Sequence, residues 1–398
     1  MKLALVADTF PPLRTSGAVQ LRDLVREFIR QGHELTVLLP SQEQKGGWEL
    51  DSFDGARVLR LSAPKTKDVG YARRTFAEWR MPYAMSRNLR KSPLAQERWE
   101  GVLWYSPSIF HGPLVRAVKR NSQCSAYLII RDIFPEWAVD LGLMRPGLAY
   151  QFFKAIARQQ YEAADTIGVQ SPGNLGYFES WLWEKPGRQL EVLPNWLSPP
   201  ASDKCPIRID ATPLAGRKIF VYAGNMGVAQ GLDILVDLAD RMTNRADVGF
   251  LFVGRGSEAD RLKVITEQRG LDNVLFHSEI DPDHIPDLYS QCSVGLVALD
   301  PRHKSHNVPG KFLTYIQCGL PVLANVNQGN DLAQLIRETD VGEACETNDL
   351  AELERHARAL LNRLERDAGI DERCTRLFRR DFLVNQTVGQ IVSALQRA

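Results

Sequence analysis

Three absences narrow the class of protein before any motif is considered. No apolar run approaches the roughly 18 residues that cross a bilayer, so membrane association would have to be peripheral. Lys and Arg number 49 against 48 Asp and Glu, so charge gives no indication of a nucleic-acid partner. The six cysteines lack the short spacings of zinc sites and disulfide frameworks. We therefore expect a cytoplasmic protein.

The length of 398 residues accommodates two α/β domains with full cores. Residues 2–8 turn polar too soon for a signal peptide and predict a first buried strand. We expect a first Rossmann-like domain over 1–196, a Pro-rich linker over 197–215 and a second Rossmann-like domain over 216–380. A terminal helix over 381–398 is expected to pack back on the first domain.

Apolar segments alternate with helical patterns, which is typical of parallel sheets covered on both faces. A helix is predicted over 20–31, with Gly32 as its stop. The predicted strands of the first half are 2–8, 34–39, 56–62, 101–105, 126–131, 166–170 and 190–193. Those of the second half are 219–223, 248–253, 274–276, 294–297 and 321–324.

Two glycine-containing loops each join a predicted strand to a predicted helix. The first, residues 11–17, ends at Gly17, and the second contains Gly224 and Gly227. Small residues let backbone N–H groups approach a diphosphate at the carboxyl end of a strand. A plain structural turn is an equally reasonable interpretation of the first loop and a fair competitor for the second, which lacks the third glycine of the dinucleotide fingerprint.

The segment 302–322 is the most informative stretch. Lys311 follows a Pro-Gly turn and opens a short helix, so a cation and free N–H groups would converge on one anionic group. A phosphate group is the expected ligand. Taken alone, Lys311 would be better interpreted as a solvated lysine at a helix start.

The order and content of these motifs resemble the retaining family-4 glycosyltransferases of the GT-B fold, over nearly the whole chain. The bacterial polysaccharide branch with fucosamine-type transferases is especially similar. The matching segments are 11–17, 32–37, 131–136, 194–195, 224–227, 252–256, 308–311 and 318–322.

The resemblance implies an α/β fold of two Rossmann-like domains facing across a cleft, and a donor that is a nucleotide sugar, expected to be UDP-linked. It also implies metal-independent transfer without a cofactor, to a lipid-linked or saccharide acceptor. The residues implied to contact the donor diphosphate are Gly17, Gly224, Asn225, Gly227, Arg255 and Lys311. Those implied for the donor sugar are His306, Asn307, Pro309 and Gly310, with Thr314 for the ribose and Ser278, Glu279 and Ile280 for the base.

The sequence departs from the family pattern at several of these positions. His306 and Thr314 stand where the family often has two glutamates, and Asn225 and Gln230 replace an arginine and a lysine. Lys311, with Arg255 as a candidate beside it, must therefore supply more of the positive charge.

The predicted catalytic residues are Asp132, Arg131 and Lys311. Asp132 would orient the acceptor hydroxyl. Arg131 replaces a family histidine. It could hold an anionic acceptor or pair with a neighbouring carboxylate, and the sequence favours neither role over the other.

No metal site is predicted. Asp281 and Asp283 flank a proline and are better explained as helix-capping residues, while His303 and His306 have no evident third ligand.

Between Lys65 and Arg98 nine basic residues stand against three acidic ones, interleaved with aromatic residues. Such a stretch can rest on an anionic inner-membrane leaflet, and an ordinary solvated helix pair explains it as well. Two functions compete with transfer: a nucleotide-sugar epimerase of the same architecture, and a non-catalytic nucleotide-sugar-binding protein.

Overall fold

The computed structural model describes residues 1–42, 46–66, 69–200 and 203–397. It divides into two compact units, Met1–Pro194 with Val384–Ala398, and Asn195–Leu383. Three predictions extend over residues outside this description: 67 and 68 in the basic stretch, 201 and 202 in the expected linker, and 398 in the terminal helix. The described part of the expected linker from 197 onwards lies inside the second unit.

The first unit is built on an eight-stranded sheet, parallel except at one edge. The strand order is β3-β4-β2-β1-β5-β6-β7-β8. Its strands are β1 (Lys2–Val6), β2 (Glu34–Ser41), β3 (Trp48–Phe53), β4 (Ala56–Ser62), β5 (Gly101–Ser106), β6 (Ser125–Ile130), β7 (Thr166–Val169) and β8 (Gln189–Val192). Its first six helices are α1 (Ser16–Arg30), α2 (Tyr71–Leu89), α3 (Gly112–Ser122), α4 (Glu136–Asp140), α5 (Leu148–Tyr161) and α6 (Glu179–Trp183).

The second unit is built on a six-stranded parallel sheet of order β11-β10-β9-β12-β13-β14. Its strands are β9 (Lys218–Asn225), β10 (Val248–Arg255), β11 (Val274–His277), β12 (Val294–Ala298), β13 (Val322–Asn325) and β14 (Gly342–Cys345). Its helices are α7 (Asp233–Arg241), α8 (Ala259–Gln268), α9 (Ile285–Tyr289), α10 (Gly310–Gln317), α11 (Asp331–Thr339), α12 (Leu350–Leu364) and α13 (Ile370–Asp381).

A terminal helix, α14 (Val384–Arg397), belongs to the first unit and packs against α1 and β6. The Gln390 amide donates to the Val192 carbonyl at 2.8 Å, and Leu395 packs beside Gly101. Within the described residues no helix is long and apolar enough to cross a membrane.

The prediction of two α/β domains, each with a predominantly parallel sheet, is confirmed. Two strands escaped the sequence analysis, and both lie at sheet edges. β3 has four exposed residues in the run WELDSF and pairs antiparallel with β4. β14 has only four residues and includes a glycine and a glutamate. Edge strands need no continuous apolar run, because fewer of their side chains are covered.

The last residues of β9 and β10 lie against each other, backbone on backbone. Gly254 has φ +148°, and a Cβ there would come within 2.0 Å of the Gly224 carbonyl oxygen. Any side chain at Gly254 would therefore force these two strand ends apart. This contact fixes the carboxyl edge of the sheet, where parallel α/β sheets bind their ligands.

Replacing Gly254 with alanine is expected to destabilise the second unit by about 2 kcal/mol or more, because the substitution combines a positive φ with a backbone overlap. Gly389→Ala is the matched control, since Gly389 lies inside α14 with nothing within 4 Å of an added Cβ. That change should stabilise by about 0.5–1 kcal/mol through helix propensity. Scanning calorimetry measures both, and an unchanged unfolding temperature for Gly254→Ala would contradict the contact.

Candidate functional site

Lys311 lies at the carboxyl edge of the second sheet and has no counter-ion within the described parts of the chain. The ammonium of Lys311, at the start of α10, lies 4.8 Å from the centre of the Tyr222 ring. A Cβ built on Gly224 would lie 3.5 Å from the Lys311 Cε atom, so the side chain extends over the turn that ends β9. Desolvation lowers the pKa of Lys311 to about 8, and no carboxylate contributes to that pKa.

The position of the Lys311 ammonium is electrostatically unfavourable when no ligand is bound. The N-terminal end of a helix carries partial positive charge, which repels a cation held in its first turn. Neither the Gly310 nor the Lys311 backbone N–H has a hydrogen-bond acceptor among the described residues. An ammonium and two N–H groups are thus available for one anionic group at the start of α10.

Tyr315 fixes the orientation of α10, a role that no sequence pattern predicts. Its fully buried hydroxyl lies 3.0 Å from the Val221 carbonyl oxygen and 3.1 Å from that of Leu296, and it accepts from the Ala223 N–H at 3.4 Å. Residues four apart lie on one helix face, so Tyr315 anchors the face that carries Lys311. A tyrosine in an apolar helical run is indistinguishable from ordinary core by sequence.

The segment that follows β8 holds the two ends of the 308–317 stretch. The buried Asn195 amide donates to the Val308 carbonyl at 2.7 Å, and the Gln317 amide donates to the Ser198 carbonyl at 2.6 Å. Asn195 had been noted only as part of a matching motif. Its role here is to hold the loop that leads into α10.

The Gly224 loop is closed by its own side chains. The Gln230 amide oxygen accepts from the Gly227 N–H at 3.0 Å and from the Asn225 amide at 3.2 Å. The predicted use of the Gly227 N–H by a diphosphate therefore requires Gln230 to move. Asn225 likewise already has a partner inside the loop.

The predicted base and diphosphate residues meet at the ends of β10 and β11. Arg255 forms an ion pair with Glu279, with Arg255 Nε 2.9 Å from Glu279 Oε2. Ser278 and Glu279 are exposed and Ile280 is half-buried, so the segment after β11 is open to a ligand. Asp281 caps the following turn by accepting from the Asp283 N–H at 3.1 Å, in agreement with the capping interpretation.

The predicted sugar and ribose residues lie beside Lys311 in the chain, and two of them have internal partners. The Nδ1 atom of His306 is 3.1 Å from Asp331 Oδ1, and this hydrogen bond raises the pKa of His306. The hydroxyl of Thr314 donates to the Gly310 carbonyl at 3.3 Å. Asn307 and Pro309 are half-buried in the loop before α10, and Gly310, which is half-buried too, begins that helix.

In the first unit, Asp132 follows β6 at the carboxyl edge of the sheet. Desolvation raises the pKa of this half-buried carboxyl to about 6. The neighbouring Arg131 is buried, and its guanidinium donates to the carbonyls of Leu193 at 2.9 Å and Pro194 at 3.2 Å. These hydrogen bonds join Arg131 to the backbone that follows β8, which is a structural role. Its catalytic role stays a prediction.

Gly17 lies in the first turn of α1, which Thr15 caps by accepting from the Ala18 N–H at 3.3 Å. A Cβ on Gly17 would lie 3.2 Å from Thr9 and 3.3 Å from the Tyr105 hydroxyl. Close packing is sufficient to explain this glycine, and its predicted contact with a diphosphate stays a prediction.

The sequence profile of "Glycosyl transferases group 1" matches residues 217–363, which include the Gly224 turn, Arg255 and Lys311. Residues 217–363 thus form a glycosyltransferase group 1 domain. The chain is 26% identical over 242 residues to the probable glycosyltransferase WbjE of Pseudomonas aeruginosa, a match that spans 57% of this chain and 58% of WbjE. It is 24% identical over 391 residues to the putative colanic acid biosynthesis glycosyl transferase WcaI of Escherichia coli K12, spanning 87% and 86%.

Solved structures share the fold of this glycosyltransferase over whole chains. WaaG, a glycosyltransferase involved in lipopolysaccharide biosynthesis, has a TM-score of 0.68 at 15% identity, with 99% of each chain covered. The Anabaena protein Alr3699/HepE, solved in complex with UDP and glucose, has a TM-score of 0.72 at 14% identity, with 100% of each chain covered. The chain thus has the GT-B fold.

Replacing Lys311 with methionine is expected to raise the unfolding temperature of the ligand-free protein at neutral pH. The lowered pKa means that the folded state disfavours the charged amine, and this penalty is complete below about pH 8. The advantage of the variant should shrink as the pH rises from about 8 towards 10.5, the ordinary pKa of lysine. Thermal unfolding at several pH values measures this difference.

Lys263→Met, on the exposed face of α8, is the matched control and should leave the unfolding temperature unchanged. A Lys311→Met protein less stable than the wild type below pH 8 would show that the ammonium has a stabilising partner, contrary to the geometry.

Proposed function

We propose that this glycosyltransferase moves a sugar, expected to be an N-acetylated amino sugar, from a UDP-linked donor to a lipid-linked or saccharide acceptor in surface-polysaccharide assembly. The observation that carries the proposal is the desolvated Lys311 beside two backbone N–H groups at the start of α10, all three without a partner among the residues that the structure describes. The names of WcaI and WaaG support the polysaccharide setting, and the bound UDP of HepE supports the nucleotide.

The chemistry explains why such a site suits a nucleoside diphosphate. Breaking a sugar–phosphate bond leaves negative charge on the departing diphosphate, and preorganised donors stabilise that charge strongly where water is excluded. Lys311 and the N–H groups of Gly310 and Lys311 are such donors. In this proposal they act without a metal or another cofactor.

On the acceptor side we propose that Asp132 orients the attacking hydroxyl. In its carboxylate form it accepts a hydrogen bond from that hydroxyl, whose proton passes to the leaving phosphate oxygen. Attack on the face from which the diphosphate departs gives retention of the anomeric configuration, as the resemblance to family 4 implies. The position of Asp132 after β6 and its half-burial support the role.

The proposal includes peripheral contact with the cytoplasmic face of the inner membrane through the stretch from Lys65 to Arg98. Within this stretch α2 exposes Tyr71, Phe76, Trp79 and Tyr83 to solvent. Exposed aromatic residues beside basic ones are typical of surfaces at headgroup depth.

Calorimetric titration with UDP tests the donor site. Lys311→Met should weaken UDP binding by roughly 10- to 100-fold, the value of a lost charge-assisted hydrogen bond, while Lys263→Met should bind as the wild type does. Undiminished affinity in Lys311→Met would remove this lysine from the donor site.

Incubation with UDP-sugars and membrane lipid extracts distinguishes transfer from its rivals. Transfer releases UDP only when acceptor is present, an epimerase converts the sugar without acceptor, and a binding protein forms no product. Acceptor-dependent release of UDP is the expected result.

Replacing Asp132 with asparagine should lower kcat by about 100-fold or more while the affinity for the donor stays unchanged, because only positioning of the hydroxyl is lost. In the wild type kcat/KM should fall as the pH drops below about 6, where Asp132 becomes protonated. The variant should lack this acidic limb. Asp140→Asn, at the end of α4, is the control that should retain both the rate and the limb.

A further inference from the structure

Three aromatic side chains form an exposed stripe along α2. Phe76, Trp79 and Tyr83 are 57%, 42% and 49% exposed. Their spacing of three and four residues places them on one helix face, with ring centres 6.1 Å and 5.8 Å apart. We call these three residues the aromatic stripe. Large apolar side chains in contact with one another at the surface are typical of an interaction site.

A basic groove begins where the aromatic stripe ends. It has a volume of about 550 Å³ and lies between the C-terminal half of α2 and α3. Tyr83 belongs to both features, so they form one continuous surface. The basic residues that line the groove are Arg90, Arg116, Lys119 and Arg120.

Most of this positive charge is uncompensated. Lys119 is paired with Asp165 at 2.6 Å, whereas Arg116 donates to a neutral group, the Gln159 carbonyl, at 3.1 Å. The side chains of Arg90 and Arg120 are exposed, and within the described part of the chain neither has a hydrogen bond or an ion pair.

The one acidic residue among the residues lining the groove is already neutralised. Glu162 forms ion pairs with Arg188 at 3.0 Å and Lys185 at 3.1 Å. Three guanidinium groups therefore remain for an anion, and guanidinium groups bind phosphate oxygens in a bidentate manner.

We propose that this groove binds the phosphate group of an anionic phospholipid while the aromatic stripe enters the headgroup layer. The continuity of the two features through Tyr83 favours a lipid over a soluble phosphate, because a soluble ligand has no use for the adjoining aromatic rings. The inference deepens the proposed peripheral membrane contact and rests on it. It extends the contact to Arg116 and Arg120 of α3, which lie outside the basic stretch noted in the sequence.

Flotation of the full chain with phosphatidylcholine vesicles, with and without phosphatidylglycerol, tests the proposal. The wild type should bind only the anionic vesicles, and binding should weaken as salt is added. Each arginine near the surface contributes about 1 kcal/mol, so Arg90→Gln with Arg120→Gln should weaken binding by about 25-fold. Trp79→Ala should weaken it separately, by loss of the inserted ring.

Arg366→Gln with Arg376→Gln is the matched control, because both arginines are exposed in the second unit and the net charge changes by the same amount. Unaltered vesicle binding in that control supports a local site. Equal binding of the wild type to neutral vesicles, or full binding by the Arg90/Arg120 variant, would overturn the proposal. So would binding of inorganic pyrophosphate in the groove by a wild type that ignores vesicles.

UDP binding separates this inference from the proposed enzymatic function. The Arg90/Arg120 variant should bind UDP as the wild type does, since its substitutions lie in the first unit and the predicted diphosphate site around Lys311 in the second. Loss of vesicle binding with UDP binding intact locates the defect at the groove alone.

Discussion

A desolvated ammonium group above an aromatic ring is the interaction on which the proposed donor site depends. Desolvation and the partial positive charge at the start of α10 both disfavour the charged form of Lys311, and the face of Tyr222 offsets them in part, by about 2 kcal/mol. Such an arrangement persists only when the surrounding structure imposes it. Here the imposing element is Tyr315, whose hydroxyl ties α10 to the backbone on either side of Tyr222 and to β12. The core thus holds in place an uncompensated positive charge that a bound anion would neutralise.

The structure also shows how the Gly224 loop is held together without the two basic residues that the resemblance to family 4 leads us to expect there. Asn225 and Gln230 hydrogen-bond to each other, and Gln230 also occupies the Gly227 N–H. The loop is consequently a closed, neutral turn packed on the Gly254 backbone rather than a set of open donors. Positive charge is concentrated instead at α10, and the Asn195 amide holds the approach to that helix in place.

Features that depend on neighbouring residues in the chain could be predicted from the sequence. Features that depend on contacts between residues far apart in the chain could not. Buried strands were predicted because each is a continuous apolar run, and Lys311 because a Pro-Gly turn precedes a helical pattern. β3 and β14 were missed because edge strands tolerate polar residues. The role of Tyr315 depends on carbonyls up to 94 positions away, and Arg131 reaches a carbonyl 63 positions away. Local patterns contain no signal for such partners, and charge alone suggested an anion for Arg131 where the structure supplies backbone oxygens.

The two units depart from the usual distribution of polarity in opposite directions. In the second unit a positive charge is withdrawn from water, and in the first unit aromatic rings are exposed to water beside guanidinium groups. Neither the ammonium nor these guanidinium groups have an acidic partner in the described ranges of the chain. The desolvated ammonium and the exposed aromatic rings are each unfavourable for the isolated protein, and each would become favourable with the proposed ligand. A compact diphosphate satisfies the first, since it brings charge but little apolar surface. Only a partner with both an anionic face and an adjoining apolar layer satisfies the second, and a phospholipid leaflet has both.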